Sequence, residues 1–390
     1  MKALQWMPDA RLVLRELDEP GLVSSTAVKI RIEMTGICGT DLAVIAGKEE
    51  GVAHITRGHE AVGVIVETGA SVRELAVGDR VVIDPNYSCG GCEYCLRLLP
   101  HLCIGSSGTM AIAGLNVNGT FAGYYVSEAR YVHRLPQDMP WERGVLVEPL
   151  ACVLHNLQEA RVASDDSVLV LGSGPMGLLC QMASRRLARL TVATELNPYR
   201  LEAAGRIADE AYHPAELDEQ VIARLTGGRG FDVVIDAVGN QLEMADRVIG
   251  RGGRIVPLGI HGSYRYTIAP ARLIQRAISI IGAGEYRCMF PLALRMAHEM
   301  TGLDRLVTKR YSLEQHEQAM EELLGYNPAT GEPVQTFTLK SVFEPWGCSL
   351  AAHTTKGKMQ ERQAVEKRPE RHGIESGKAK RSPLSPDFTP

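Results

Sequence analysis

Runs of Val and Ile, broken by Gly, Asp or Pro, dominate the first third of the chain. "VKIRIEM" (28–34), "AVGVIVETG" (61–69) and "DRVVIDP" (79–85) are short, β-branched and bounded by turn residues, the pattern of strands in a β-rich unit. From Ser167 the rhythm changes. "SVLVLGSGPMGLLCQMASRRLA" reads as a fully apolar strand, a glycine turn and a helix; "LTVATE", "FDVVIDAVG" and "GRIVPLG" repeat the apolar strand with helical stretches between them. That alternation predicts a parallel sheet with crossover helices. From about Phe290 the period is helical in "FPLALRMAHEM" and "LEQHEQAMEELL", and "VQTFTLK" (334–340) reads as a last strand. After about Ser349 large apolar residues thin out and Lys, Arg, Glu, Ser and Pro take over. Such a stretch cannot bury enough surface to offset ordering, so 349–390 is expected to be a disordered, solvated tail whose basic excess could also serve a partner.

Composition changes this picture little. A chain of 390 residues suits two domains, and 45 % apolar with 23 % charged residues is ordinary for a folded protein. A formal charge of −4 removes the general electrostatic reason to expect nucleic acid or an acidic membrane as partner. No apolar run approaches the ~20 residues of a membrane span, and the N-terminus has no apolar signal core. The expectation is therefore an intracellular, cytoplasmic protein. In that reducing setting, clustered cysteines point to a metal before a disulfide.

Four of the nine cysteines lie in "SCGGCEYCLRLLPHLC": Cys89, Cys92, Cys95 and Cys103, spaced C-x2-C-x2-C-x7-C. Four thiolates so close in sequence can surround one tetrahedral zinc and leave no position open, which makes the site structural. An iron–sulfur cluster is the competing reading of such spacing. A second, scattered set comprises Cys38 in "GICGTD", His59 and Glu60 in "RGHEAVG", and Glu148 in "VEPLACVLH". One thiolate, one imidazole and one or two carboxylates suit zinc with an exchangeable position. Singly each has a plain structural explanation: a core thiol, a turn histidine, a helix-start carboxylate.

Gly172-Ser-Gly174-Pro-Met-Gly177 directly follows an apolar strand and opens a helix, the context that the dinucleotide fingerprint requires. Gly172 permits the tight turn, Gly174 lets backbone approach a pyrophosphate, and Gly177 lets helix and strand pack closely. Pro175 and Met176 lie inside the motif at the helix start, where backbone N–H groups face phosphate charge. About twenty residues on, Glu195 ends the next strand; a carboxylate there accepts from both ribose hydroxyls and repels a 2′-phosphate, favouring NAD over NADP, with Arg200 close by as a counter-indication.

Taken together these residues resemble the zinc-dependent medium-chain dehydrogenase/reductase family over about residues 1 to 345. Gly58-His59-Glu60 with Gly63, Gly69 and Val72 is similar to the family's zinc signature, and the four-cysteine lobe and the glycine turn follow in the family's order. The resemblance is nearest to the sorbitol, glucose and threonine dehydrogenase branch, through "VEPLACVLH", "EYRCMFPLAL", "LVTKRYSLEQHEQAMEELL" and "GICGTD". It implies an α/β protein with a GroES-like catalytic domain from 1–155 completed by 290–345, and a Rossmann domain at 156–289. It implies Cys38 and His59 as catalytic zinc ligands, Glu60 and Glu148 at the two carboxylate positions with the direct ligand left open, Thr40 as the group that passes the substrate proton, and the four cysteines as ligands of a structural zinc. Two zinc ions per chain, NAD, a homodimer or homotetramer, and reversible oxidation of a secondary alcohol follow from it.

Substrate is expected to be a small polyol, sugar or cyclitol, with an amino alcohol or hydroxy amino acid as the alternative. The loop "AGKEEGVAHITR" (46–57) is expected to border the cleft and offers Glu49, Glu50, His54 and Arg57, each of which also reads as a solvated loop residue. Only 5 % of residues are aromatic, which argues mildly against a large apolar pocket. A rival of another class, a non-catalytic zinc-bearing nucleotide sensor, would be favoured by loss of Cys38, His59 or Glu148; all three are present.

Overall fold

The computed structural model describes residues 1–347, apart from 10, 106, 107 and 329; the expected tail at 349–390 lies outside the described residues. Two sheets organise this unit. The first has seven strands. Val307–Tyr311, Lys340–Phe343, Ala27–Gly36, Glu60–Thr68, Arg80–Ile83 and Val132–Arg134 follow one another across it, and Tyr124–Glu128 also pairs with Ala27–Gly36. It draws on both ends of the chain. The three strands read from the sequence fall inside it, buried on alternate or continuous positions because one or both faces are covered.

The second sheet is six-stranded and parallel. Its order is Glu210–Tyr212, Leu190–Thr194, Ser167–Leu171, Phe231–Asp236, Ile249–Pro257, Ser279–Ile280. The chain starts in the middle, winds to one edge, returns and winds to the other. The carboxyl ends of the central strands Ser167–Leu171 and Phe231–Asp236, where the order reverses, form the crevice in which this topology binds ligands. Ser167–Leu171 is buried at every position, which explains the unbroken apolar run.

The helix Val147–Glu159 joins the two parts. Val147, Leu150, Ala151, Val153 and Leu154 pack in one cluster with Val62 and Val82 of the first sheet, with Val168 and Val170 of the second, and with Leu178 of the helix Pro175–Ser184. A buried leucine such as Leu150 in such a position stabilises by about 2–5 kcal/mol relative to alanine. The helix carries Glu148 in its first turn and is anchored to both parts, so that carboxylate has a fixed place.

The final strand differs from expectation. "VQTFTLK" alternates apolar and polar residues, but Phe337 is exposed, and 334–339 form no strand. The strand is Lys340–Phe343, buried throughout, which pairs antiparallel with Ala27–Gly36 and parallel with Val307–Tyr311. Burial between two partners, which alternation does not report, decided its place.

Candidate active site and metal centres

Strand register builds the centre. In the antiparallel pair Ala27–Gly36 and Glu60–Thr68, Gly36 lies opposite Glu60. The chain leaving Gly36 reaches Cys38, which caps the helix Gly39–Ile45 in extended conformation, while Glu60 opens the partner strand with His59 immediately before it. Close approach is possible only because residue 36 has no side chain: a Cβ there would lie 1.9 Å from Glu60 Oε2. Cys38 Sγ, a His59 ring nitrogen and a Glu60 carboxylate oxygen all come within 4.8 Å of one another.

The environment is dry and negatively charged. His59 is 5 % and Glu60 1 % exposed, and His59 Nδ1 and Glu60 Oε1 have no hydrogen-bond partner. Burial acts to lower the His59 pKa, but the Cys38 thiol, Asp41 and Glu148 outweigh it and push it up to about 10. A buried donor set that draws in a proton this strongly is one that a divalent cation satisfies. Glu148, outside the close triplet, has its pKa pushed up to about 8, first by burial and further by the charges of Glu60 and Glu285, against the opposing pull of His59 and Lys340. Cys152, one turn on, places its Sγ 3.9 Å from Glu148 Oε1. Thr40 Oγ1, in the first turn after Cys38, is buried and free of hydrogen bonds.

Two buried ion pairs frame the centre. Lys340, 3 % exposed, pairs with Glu60 Oε2. Ile37 N donates to Ser341 O at 3.0 Å, and that register carries Lys340 to the level of Cys38. Burial would lower the lysine's pKa, yet Glu60, Cys38 and Glu148 hold it raised. Arg57, 1 % exposed, meets Asp41 through Nε at 3.2 Å and Nη2 at 3.1 Å; Asp41 Oδ2 also accepts from Cys38 N at 3.2 Å. Arg57 is thus neither a solvated loop residue nor available to substrate: it clamps the His59 segment to the Cys38 helix. Sequence reading missed Lys340 and Asp41 because nothing local marks them; the partners lie 280 and 16 positions away.

The loop 46–57 does reach across the cleft: a Cβ on Gly262 would meet Glu49 Oε1 at 2.8 Å. His54 serves architecture, with φ 64°, its N donating to Trp6 O at 2.7 Å and its O accepting from Gln5 Nε2.

The four-cysteine lobe is self-contained. Cys89, Cys92, Cys95 and Cys103 have their sulfurs within 4.8 Å of one another, with Cys92 to Cys103 at 3.9 Å and Cys89 to Cys95 at 4.0 Å. Zinc–sulfur bonds of roughly 2.3 Å give a tetrahedral edge of about 3.8 Å, so the cage has the size of one closed ion. These separations exclude disulfides. Backbone N–H groups donate to the sulfurs: Cys92 N to Cys89 at 3.3 Å, and Cys89 N and Gly105 N to Cys103 at 3.2 Å. N–H groups of Cys95 and Ile104 pull the Cys92 thiol down to about 6, towards the thiolate a metal takes.

At the glycine turn, Gly172 has φ 89° and a Cβ on Gly177 would lie 2.1 Å from Gly172 O. Pro175 starts the helix Pro175–Ser184, and Met176 packs against the core. Glu195 closes over the turn: Oε2 accepts from Ser173 N at 2.7 Å, and Oε1 from Leu196 N and Asn197 N at 2.8 and 2.9 Å. Arg200 donates through Nε to Thr338 O at 3.3 Å, with Nη1 3.9 Å from the Cβ position of Gly174. That tether links the glycine turn to the segment leading into Lys340.

Known proteins share this fold. Residues 24–137 match the alcohol dehydrogenase GroES-like domain, and residues 175–299 match the zinc-binding dehydrogenase family. The chain is 31 % identical over 327 residues to D-altritol 5-dehydrogenase of Agrobacterium fabrum, covering 81 % of this chain and 94 % of that one. It is 29 % identical over 316 residues to sorbitol dehydrogenase of Bacillus subtilis, covering 78 % and 88 %. Among solved structures, 2R,3R-butanediol dehydrogenase from Bacillus subtilis superposes with a TM-score of 0.76 at 27 % identity, covering 88 % of this chain and 99 % of that one. Galactitol-1-phosphate dehydrogenase from Escherichia coli gives 0.77 at 26 %, covering 88 % and 100 %. A GroES-like unit joined to a Rossmann unit, with a Cys–His–Glu centre, defines a zinc-type dehydrogenase. The chain belongs to the zinc-dependent medium-chain dehydrogenase/reductase family, in its sorbitol-dehydrogenase branch. Among the described residues no helix is long and apolar enough to cross a membrane.

Proposed function

We propose that this protein is an NAD(H)-dependent zinc enzyme that interconverts a secondary alcohol and a ketone on a polyol, sugar or cyclitol. The convergence of Cys38, His59 and Glu60 within 4.8 Å carries the reading, because their orphaned buried atoms call for a cation. Relatives named for altritol and sorbitol point to hydroxyl-rich substrates. Residues 1–155 with 290–345 form the catalytic unit and 156–289 the cofactor unit.

Zinc bound there supplies a Lewis acid for the substrate oxygen, and nicotinamide supplies the hydride acceptor. The chain does the rest. Cys38, His59 and Glu60 hold the metal, and Lys340 fixes Glu60 so that Oε1 is presented. Glu148, kept nearby by its helix, serves as the second carboxylate. Thr40 Oγ1, unpaired and close in sequence to Cys38, takes the hydroxyl proton and passes it outward. The N–H groups of the glycine turn face the pyrophosphate, and Glu195 exchanges its backbone donors for ribose hydroxyls, which favours NAD over NADP. The four cysteines hold a second, structural zinc.

An NAD-coupled screen over sugars, cyclitols and amino alcohols, on protein of measured zinc content, tests the proposal. NADH formation with a hydroxyl-rich substrate is expected. Tight NAD binding without turnover of any alcohol would instead revive the nucleotide sensor.

A further inference from the structure

We infer that the substrate carries an ammonium group, received by the Glu285 carboxylate at the wall of the Cys38–His59–Glu60 centre, so that the enzyme acts on an amino-polyol or amino-cyclitol in preference to its all-hydroxyl counterpart. This rests on the dehydrogenase reading above and narrows its substrate class.

Glu285 is half-buried in the segment between the strand Ser279–Ile280 and the helix Phe290–Glu299. Asn86 Nδ2 donates to its Oε2 at 3.4 Å. Asn86 N donates to Asp84 Oδ1 at 3.1 Å, and the Tyr286 hydroxyl donates to the same oxygen at 2.8 Å. Asp84, Asn86, Glu285 and Tyr286 therefore make one continuous wall carrying two carboxylates. The wall packs on the helix that carries Glu148: Tyr286 lies in one cluster with Val147, Leu150 and Ala151, with Cys152 against it. The charge of Glu285 bears on Glu148 and on Cys152, and Cys152 also feels Cys38 and Glu60. Against the Glu285 backbone lies His155, 1 % exposed, whose Nε2 also lies 3.6 Å from Glu159 Oε1, so the helix that carries Glu148 holds the Glu285 segment in place. Beside the metal-facing Glu60 Oε1 and His59 Nδ1, Thr40 Oγ1 is also left without a hydrogen bond, on the side of the centre where the substrate hydroxyl is received.

The cations near this space are already committed. Lys340 serves Glu60, and Arg57 serves Asp41. Arg287, two residues beyond Glu285, turns to the cysteine lobe and donates to Leu98 O at 3.1 Å. Among the described residues no ion pair involves Glu285, Asp84 or Glu148. A divalent ion in the ligand set balances Cys38 and one carboxylate; Lys340 balances a second. Glu285 and Asp84 remain uncompensated. Burial first, with the neighbouring Glu285 adding to it, pushes Asp84 up to about 6, the mark of negative charge held where water is scarce. A substrate ammonium supplies the missing charge and three donors, whereas a phosphate ester on the substrate would meet like charge.

Initial rates of NADH formation on matched pairs differing by one group decide the matter: scyllo-inositol against scyllo-inosamine, and sorbitol against 2-amino-2-deoxysorbitol. The amine is expected to be preferred in kcat/KM by roughly tenfold or more, and its KM, unlike that of the neutral partner, to rise with salt. In Glu285→Gln the amine-to-hydroxyl ratio falls by about tenfold, mainly through KM, and Glu285→Asp restores part of it. Equal or better use of the hydroxyl member, with no salt dependence, overturns the ammonium assignment and leaves the dehydrogenase reading standing; so does a ratio unmoved in Glu285→Gln. No NADH from either pair, when another alcohol of the wider screen is turned over, overturns the ammonium assignment alone; no NADH from any alcohol overturns both.

Discussion

The two candidate metal-binding constellations are built by opposite means. The lobe of Cys89, Cys92, Cys95 and Cys103 gathers its ligands from one loop and steadies their sulfurs with that loop's own N–H groups. The centre of Cys38, His59 and Glu60 is gathered by strand register, closed by a lysine from the far end of the chain, and left with buried polar atoms unpaired. The first satisfies its ligands from within and has nothing to offer a substrate. The second is incomplete without a metal and substrate, which is the state a catalytic centre requires. Thiol density is thus a poor guide to where chemistry occurs.

Substitutions can break or sharpen this contrast. The largest effect is expected from Cys38→Ser: turnover below about one thousandth of wild type, from loss of several kcal/mol of charge stabilisation, while NAD binding measured by fluorescence survives. Normal turnover in that variant would remove the metal assignment. Cys95→Ser should act the other way, lowering the melting temperature by roughly 10 °C while the folded fraction keeps its intrinsic rate. Lost hydride transfer in fully folded, zinc-replete Cys95→Ser protein would contradict the division of labour. Lys340→Met leaves Glu60 buried and unpaired; a destabilisation of about 3–5 kcal/mol is expected in metal-free protein and a smaller one with zinc bound, read from denaturant midpoints. Equal losses in both states would mean that Lys340 supports the fold alone. The mildest effect is expected from Glu195→Ala: KM for NAD up by roughly tenfold, kcat little changed, and the gap between NAD and NADP reduced.

What could be read in the sequence was what the chain builds locally. The apolar strand before Gly172, the turn itself and the cysteine spacing each depend on neighbours a few positions away, and the structure places them as expected. The strands at 28–34, 61–69 and 79–85 were legible for the same reason. Long-range pairing was not. "VQTFTLK" carries a strand-like alternation but has no partner strand over 334–339, while "KSVF" is placed by two neighbours. Arg57 reads as one more charged loop residue until Asp41, inside the first turn of a helix, is found against it. Glu285 follows a glycine in an unremarkable loop, and only the fold sets it beside Asp84 and the ligand helix.

The most direct test of the account follows metal content, turnover and far-UV circular dichroism together while a chelator is titrated into the wild-type enzyme. If the open Cys38–His59–Glu60 centre does the chemistry and the closed lobe holds structure, turnover disappears with the first metal released per chain, the spectrum holds, and the fold is lost only as the second metal leaves. Turnover that persists after the first metal has gone, or a fold that collapses with it, would contradict that division.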